Sequence, residues 1–269
     1  MKGTLFILFY TSFIFAQDIT VRFNFSVNEL NDIGSTTKKF TLKQNDINSI
    51  FELDDVNDEN QFKNSSKIRL TKYHESDTIK SYLIGENAIA FLWKEKNFKN
   101  FKEDFQIHNY MQGKKFIYVK DKITLFDWDI VEKSDTLIAN YHCEKATTKF
   151  RGRNYIAYFT NEISNQGGPY KFDGLPGFII KIKSTDGYVD IEAREIIVTK
   201  NKIKNIFNPF KGKEIIFFNE LKNKRIEFEK ESFERAKLES KGDGRMTSVT
   251  YKDSEGIEDI GLKSPRVYK

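Results

Sequence analysis

Cysteine occurs once in the 269 residues, at Cys143, so the chain closes no internal disulfide and builds no multi-cysteine metal site. Histidine is almost as scarce. His74, His108 and His142 are scattered and never fall in an HExxH or HxxH spacing, which argues against a zinc enzyme and leaves no cofactor implied. The chain has no GxSxG elbow, no SxxK and no GxxxxGK[ST] phosphate loop. Charge of one sign is missing too. Lys+Arg 44 against Asp+Glu 39 leaves +5 with the signs interleaved, the mark of a solvated surface and not of a nucleic-acid footprint. Aromatics alternate with lysine over 94–102 and 201–213, yet no basic block or reader motif goes with them, so nucleic acid is set aside as a partner.

No apolar stretch reaches the roughly 20 residues of a permanent membrane helix. The run at 5–15, broken only by Thr11 and Ser12, follows Lys2 and precedes Ala16. That order is a signal peptide at 1–16, with cleavage near Ala16. No cysteine lies near the cut, so lipid attachment is excluded. The expectation is a periplasmic or secreted protein with no transmembrane segment. With no repeat and no Pro-rich or Ser-rich linker, 17–269 reads as a single domain whose tail after about 241 is loosely ordered.

What is abundant is aromatic. With 25 Phe and 12 Tyr there is ample core material. Period-two alternation dominates, at 19–27, 67–73, 80–84, 88–93, 115–119, 137–143, 155–160, 178–183 and 188–199. Clean alternation belongs to antiparallel sheets. A charged helix is expected over 221–240, and 94–109 fits a short helix or an irregular hairpin equally well. The fold class is therefore α+β, mostly antiparallel β. Cys143 reads as a buried, inert thiol with His142 on the opposite strand face. Trp128 reads as core, with Asp127 and Asp129 facing water.

Glycine and proline concentrate in one place. Gly167-Gly168-Pro169-Tyr170-Lys171-Phe172-Asp173-Gly174-Leu175-Pro176-Gly177 holds four of the 15 Gly and two of the four Pro. Pro176-Gly177 suits the centre of a type II turn, with Gly177 at positive φ. The segment reads as a rigid corner feeding a core strand, with Leu175 plugging the core and Asp173 a tolerant surface residue. Before it, Arg151 and Arg153 flank Gly152 between two strands. They suit an anionic ligand or a C-terminal carboxylate, though an internal salt bridge or a solvated turn is the plainer reading. Tyr155 joins them as a candidate ligand-lining residue, with Tyr158 on the other face.

The stretch from Phe150-Arg151-Gly152-Arg153 through Gly168-Pro169-Tyr170-Lys171-Phe172-Asp173-Gly174-Leu175-Pro176-Gly177-Phe178-Ile179 resembles the signature of the GLPGLI family of Bacteroidetes proteins. It departs at Phe178, where the family name implies Leu. The resemblance implies an exported protein with no established activity. It also implies a bowl-like curved sheet or half-barrel, similar to a domain attached to some bacterial peptide:N-glycosidases. It supplies no catalytic residues. Asp77-Thr78-Ile79 and Asp135-Thr136-Leu137 resemble the O-glycosylation sequon of exported Bacteroidetes proteins. The expected function is binding or accessory work in the cell envelope. An apolar or peptide-like ligand, or a partner such as an outer-membrane transport complex, would be held on the concave sheet face. The alternative is a hydrolase with an unrecognised carboxylate pair.

Overall fold

The structure, a computed structural model, describes residues 18–28, 35–54, 73–75, 78–80, 82–84, 96–112, 115–199, 203, 205–240, 249–252, 258 and 266–268. The expected leader at 1–16, the strand at 88–93 and most of that at 67–73 lie outside the described residues. Strands β1 (Asp18–Asn28), β2 (Ser35–Gln44) and β3 (Asn48–Leu53) come first, then the short β4 (Tyr73–Glu75), β5 (Thr78–Lys80) and β6 (Tyr82–Ile84). Next are β7 (Asn97–Asn100), β8 (Phe105–Gln112), β9 (Lys115–Asp121), β10 (Asp129–Ile138), β11 (Tyr141–Phe150) and β12 (Arg153–Thr160). The rest are β13 (Phe178–Ser184), β14 (Val189–Thr199), β15 (Ile215–Phe217), helix α1 (Phe218–Ser240), β16 (Val249–Lys252) and β17 (Arg266–Tyr268).

Among the described residues twelve strands form one sheet in the order β10-β11-β12-β13-β14-β1-β2-β3-β7-β8-β9-β15. Every pairing in it is antiparallel except β15 with β9. β17-β16-β6 and β4-β5 form two small sheets. Among the described residues no helix is long and apolar enough to cross a membrane.

The alternation works as expected in β1, where Ile19, Val21, Phe23, Phe25 and Val27 are all buried while Arg22 and Asn24 face water. A bulge opposite Arg22/Phe23 adds Arg194 to β14, so Ala193 faces Phe23 but Ile196 faces Val21. The main core gathers these residues with Phe40, Leu42, Phe51 and the inward residues of β11 to β14.

The sheet curls strongly. β8 and β12 lie seven positions apart in the order, about 33 Å if the sheet were flat. Yet Tyr155 of β12 packs edge-on against Phe172 at 4.8 Å, and Gln106 of β8 donates to the neighbouring Lys171 carbonyl at 3.3 Å. Arg151, in the β11–β12 turn, reaches Asp121 at the end of β9 at 2.7 Å. β10 and β15 remain the two ends of an open sheet. The curved antiparallel sheet with a C-terminal helix is therefore as expected.

Several local readings needed correction. The expected strand at 137–143 is two strands, because Ala139 and Asn140 take φ of 49° and 67° and turn β10 into β11. The alternation passes through that two-residue turn without losing phase, which hid it. Of the two readings open for 94–109, the hairpin holds: β7 pairs with β8 from Asn97 to His108. β2, rich in Lys and Thr, the short β3, and β10, whose polar residues run together at 132–136, were not foreseen. The helix starts three residues early, at Phe218. Of the tail, the described residues are β16, β17 and the buried Glu258; the rest lies outside.

Candidate functional site

The β12–β13 connection, 161–177, lies on the inner face of the sheet. Ile163, Tyr170, Phe172 and Leu175 are buried in the main core. Tyr170 meets Phe25 and Phe51 at 6.2 and 6.1 Å, while Phe172 meets Tyr155 and Phe126. The concave face expected to hold a ligand is thus covered by the chain's own signature segment.

A buried irregular backbone must find hydrogen-bond donors. The sheet supplies them as side chains. Gln44 of β2 donates to the Gln166 carbonyl at 2.6 Å. Lys99 of β7 donates to the Gly168 and Phe172 carbonyls and to Asp173 Oδ2, at 3.0, 2.8 and 2.9 Å. Gln106 serves the Lys171 carbonyl, and the Trp128 indole serves that of Asp173 at 2.8 Å. Burial holds the Lys99 ammonium below the ordinary lysine range, against the pull of Asp173. Asp173 is therefore no surface residue: its side chain is 7% exposed and ion-paired.

The turn chemistry also differs from expectation. Gly177 does not have a positive φ; in this segment Gly167 and Gly174 do, at 139° and 89°. Gly177 is required by close approach instead. A Cβ there would stand 2.4 Å from the Thr160 carbonyl oxygen and 2.8 Å from Asn161 Oδ1. Leu175 is buried as expected, Pro169 is buried and Pro176 is exposed. The Gly168 carbonyl is one of the Lys99 acceptors.

The three candidate ligand residues do not form one site. Tyr155 is fully buried in the core, where its hydroxyl bonds with Arg153 and burial pushes its pKa up. Arg153 donates to Asp186 at 2.9 Å and stacks over Tyr188. Arg151 turns the other way. One amino group meets Asp121 Oδ1 and the other Glu258 Oε1, each at 2.7 Å, and its guanidinium lies 3.4 Å from the centre of the Phe218 ring.

Around Glu258 the structure assembles a buried charge cluster. Lys171 Nζ is 3.2 Å from Glu258 Oε1 and 2.5 Å from the Tyr110 hydroxyl, which itself donates to Glu258 Oε2. His108, fully buried beside Tyr110, has no hydrogen-bond partner on either ring nitrogen among the described residues. Its Nε2 lies 4.0 Å from Asp121 Oδ2, which also has no hydrogen-bond partner among the described residues. Burial, then the charges of Lys171 and Arg151, hold the His108 pKa well below the usual histidine value, so the ring is neutral. Of this cluster the sequence pointed only to Arg151. Among the described residues no group of three or more His, Cys, Asp or Glu is arranged to hold a metal. Cys143 is buried, its thiol pushed up to about 11 chiefly by burial, and His142 sits outside on the opposite face.

No family model matches the chain, and no curated protein does. Among solved structures, one described as the structure of PNGF-II in a C2 space group is similar, with a TM-score of 0.46 and 15% identity. That likeness covers 77% of this chain and 32% of the other. A second PNGF-II structure, in a P21 space group, gives a TM-score of 0.45 and 16% identity over 75% and 31% of the two chains. The chain spans about a third of the length of these structures.

Proposed function

We propose that the protein is an exported, GLPGLI-type accessory protein of a Bacteroidetes cell envelope that works by holding a partner or a peptide-like ligand. Export rests on the order of Lys2, the apolar run and Ala16. The binding reading rests on one observation: both ends of the open sheet carry large apolar side chains in water. On β10, Ile130, Val131 and Leu137 are 45%, 38% and 64% exposed. On β15, Ile215 and Phe217 are 38% and 68% exposed. Edge strands with unpaired backbone groups and apolar side chains are suited to strand addition by another chain.

The hydrolase alternative has less support. An acid–base pair needs carboxyl groups left for substrate, and the buried carboxylates are held inside the chain. Asp173 is taken by Lys99, both oxygens of Glu258 are engaged, and Asp121 is paired with Arg151 through Oδ1 while its Oδ2 is buried. The reading is tested in the native host. A photo-crosslinking residue at Leu137 or at Phe217 should capture one discrete envelope protein, and the mature N-terminus should be Gln17. No adduct from either edge, with an intact Met1 in the cytosol, overturns it.

A further inference from the structure

We propose that the outer face of the sheet at its β9–β15 end is a docking surface for an anionic lipid bilayer, into which Phe217 inserts. This goes beyond the partner reading above and leaves the β10 edge to it.

The apolar part of this surface follows from strand register. Ile216 lies opposite Val119, and both are buried with Tyr110 and Leu221 on the inner side. Ile215 and Phe217 therefore point outward, opposite Tyr118 and Lys120. Phe116, two residues before Tyr118, shares that face. Phe116, Ile215 and Phe217 are 39%, 38% and 68% exposed. The segment at 203–210 covers the neighbouring part of the outer face and leaves these three in water. Its Ile206 and Phe210 turn down onto Phe98, Ile107 and Tyr118, whereas Phe207 between them is 73% exposed. Single exposed apolar residues are ordinary on a protein surface, but several on one side of a sheet mark a surface that something covers.

Charge selects the occupant. The two stretches that carry these side chains, 115–120 and 211–217, hold Lys115, Lys120, Lys211 and Lys213 against one acid, Glu214. None of the four lysines is ion-paired among the described residues. Lys120 Nζ lies 4.1 Å from the centre of the Phe105 ring, and Lys213 Nζ 5.8 Å from that of Tyr118. Their stems cover aromatic surface while their charge stays available to an anion. Further along the outer face, Arg22 and Lys181 are instead held by Glu195 and Glu192. The β10 end differs in sign, because exposed Asp129 and Asp135 stand among its apolar side chains. Of the two apolar ends of the sheet, the β15 end is the one that complements an anionic surface.

Shape separates a bilayer from a peptide. A peptide strand added to β15 lies beside Ile215 and Phe217 and leaves Phe116, on the next strand in, and Phe207, on the covering segment, in water. A bilayer takes up apolar side chains from strands and loop together, at the boundary between headgroups and acyl chains, and needs no matched groove. Lysines without fixed partners suit it, since a lipid surface offers charge density and no set geometry. Each lysine close to an anionic membrane strengthens binding by a factor of about five.

The test is co-sedimentation of the full chain with lipid vesicles at low salt. Vesicles of equal parts phosphatidylglycerol and phosphatidylcholine should bind it at least about tenfold more strongly than phosphatidylcholine alone. Phe217→Ser and Lys213→Glu should each weaken that binding at least about fivefold, while Leu137→Ser, at the β10 edge, should leave it unchanged. All three side chains are exposed, so the variants keep the fold. No preference for the anionic vesicles, or a loss through Leu137→Ser equal to that through Phe217→Ser, overturns the proposal. Insertion is read separately in Phe217→Trp, after subtraction of the wild-type fluorescence. The added indole should shift to the blue on the anionic vesicles and be quenched by lipids brominated on their acyl chains. An unquenched signal refutes insertion. A dimer in sedimentation analysis that Phe217→Ser dissolves assigns the face to a second copy of the chain and also overturns the proposal. None of these results touches crosslinking from Leu137, so the two readings can fall separately.

Discussion

Replacing Lys99 with Met is the sharpest test of how the signature segment is held. Lys99 is 1% exposed at its side chain, and its three donors reach the Gly168 and Phe172 carbonyls and the Asp173 carboxylate. An ammonium has three donors, so the group is fully satisfied. Methionine keeps the stem and the volume while removing the charge. It leaves a buried carboxylate without its counter-ion, and two buried carbonyls without a donor. Breaking a buried pair from one side costs about 3–5 kcal/mol. Asp173 still accepts from the Gly174 N–H at 2.8 Å, which favours the lower end of that range. With a urea slope of about 2–3 kcal/mol/M for a chain of this size, the midpoint should fall by roughly 1 M or more. The double variant Lys99→Met/Asp173→Leu should lose at least about 1 kcal/mol less than the sum of its two singles, because it removes both charges. A midpoint within about 0.2 M of wild type, or strict additivity in the double variant, refutes the anchoring argument.

Gly177→Ala should cost about 1–3 kcal/mol, since the new methyl meets a backbone carbonyl that cannot rotate away. Gly187→Ala, at φ of 75° but facing open space, should cost about 1 kcal/mol from backbone strain alone. Chemical denaturation that reverses this order would show that conformation, not contact, fixes Gly177. His142 is fully exposed and bonded to Asp135 at 3.0 Å; that bond, then the Asp135 charge, raise its pKa above the ordinary 6.5. A raised histidine pKa adds stability below pH 6.5 that is lost as the pH climbs through the folded-state value. Proton NMR should show His142 titrating above 6.5 in the native chain and returning toward it in Asp135→Asn. An unshifted titration in the native chain sinks the pair.

The apolar half of the fold was legible because alternation and burial coincide there. β1, β12, β13 and most of β14 show their inward residues as Val, Ile, Phe and Tyr, and these are the main core. At β7 and β8 the same logic points the wrong way. Phe98 and Ile107 face outward and are covered by Ile206 and Phe210, while Asn97, Lys99, Gln106 and His108 face in. Alternation shows that a strand has two faces and not which face the rest of the chain will cover. Arg151 could be nominated because a charged pair beside glycine at a strand corner stands out. Lys171, Asp121, Tyr110 and Glu258 could not, since the distances that unite them run over 30 to 148 residues of chain.

That inverted wall and the signature segment explain each other. The glycines and prolines of 167–177 let the chain fold back over the sheet, but an irregular segment buried there exposes carbonyls that no strand pairs. Apolar residues on β7 and β8 would have left the carbonyls of Gly168, Lys171 and Phe172 without donors, at about 1–3 kcal/mol each. Lys99 and Gln106 supply those donors from adjacent strands. Lys99 brings a charge with it, and Asp173, from the same segment, balances it. Lys171, two residues earlier in the segment, brings another, and Glu258 meets it at 3.2 Å from the far end of the chain. One structural need, donors for a buried loop, therefore accounts for the polar inner wall.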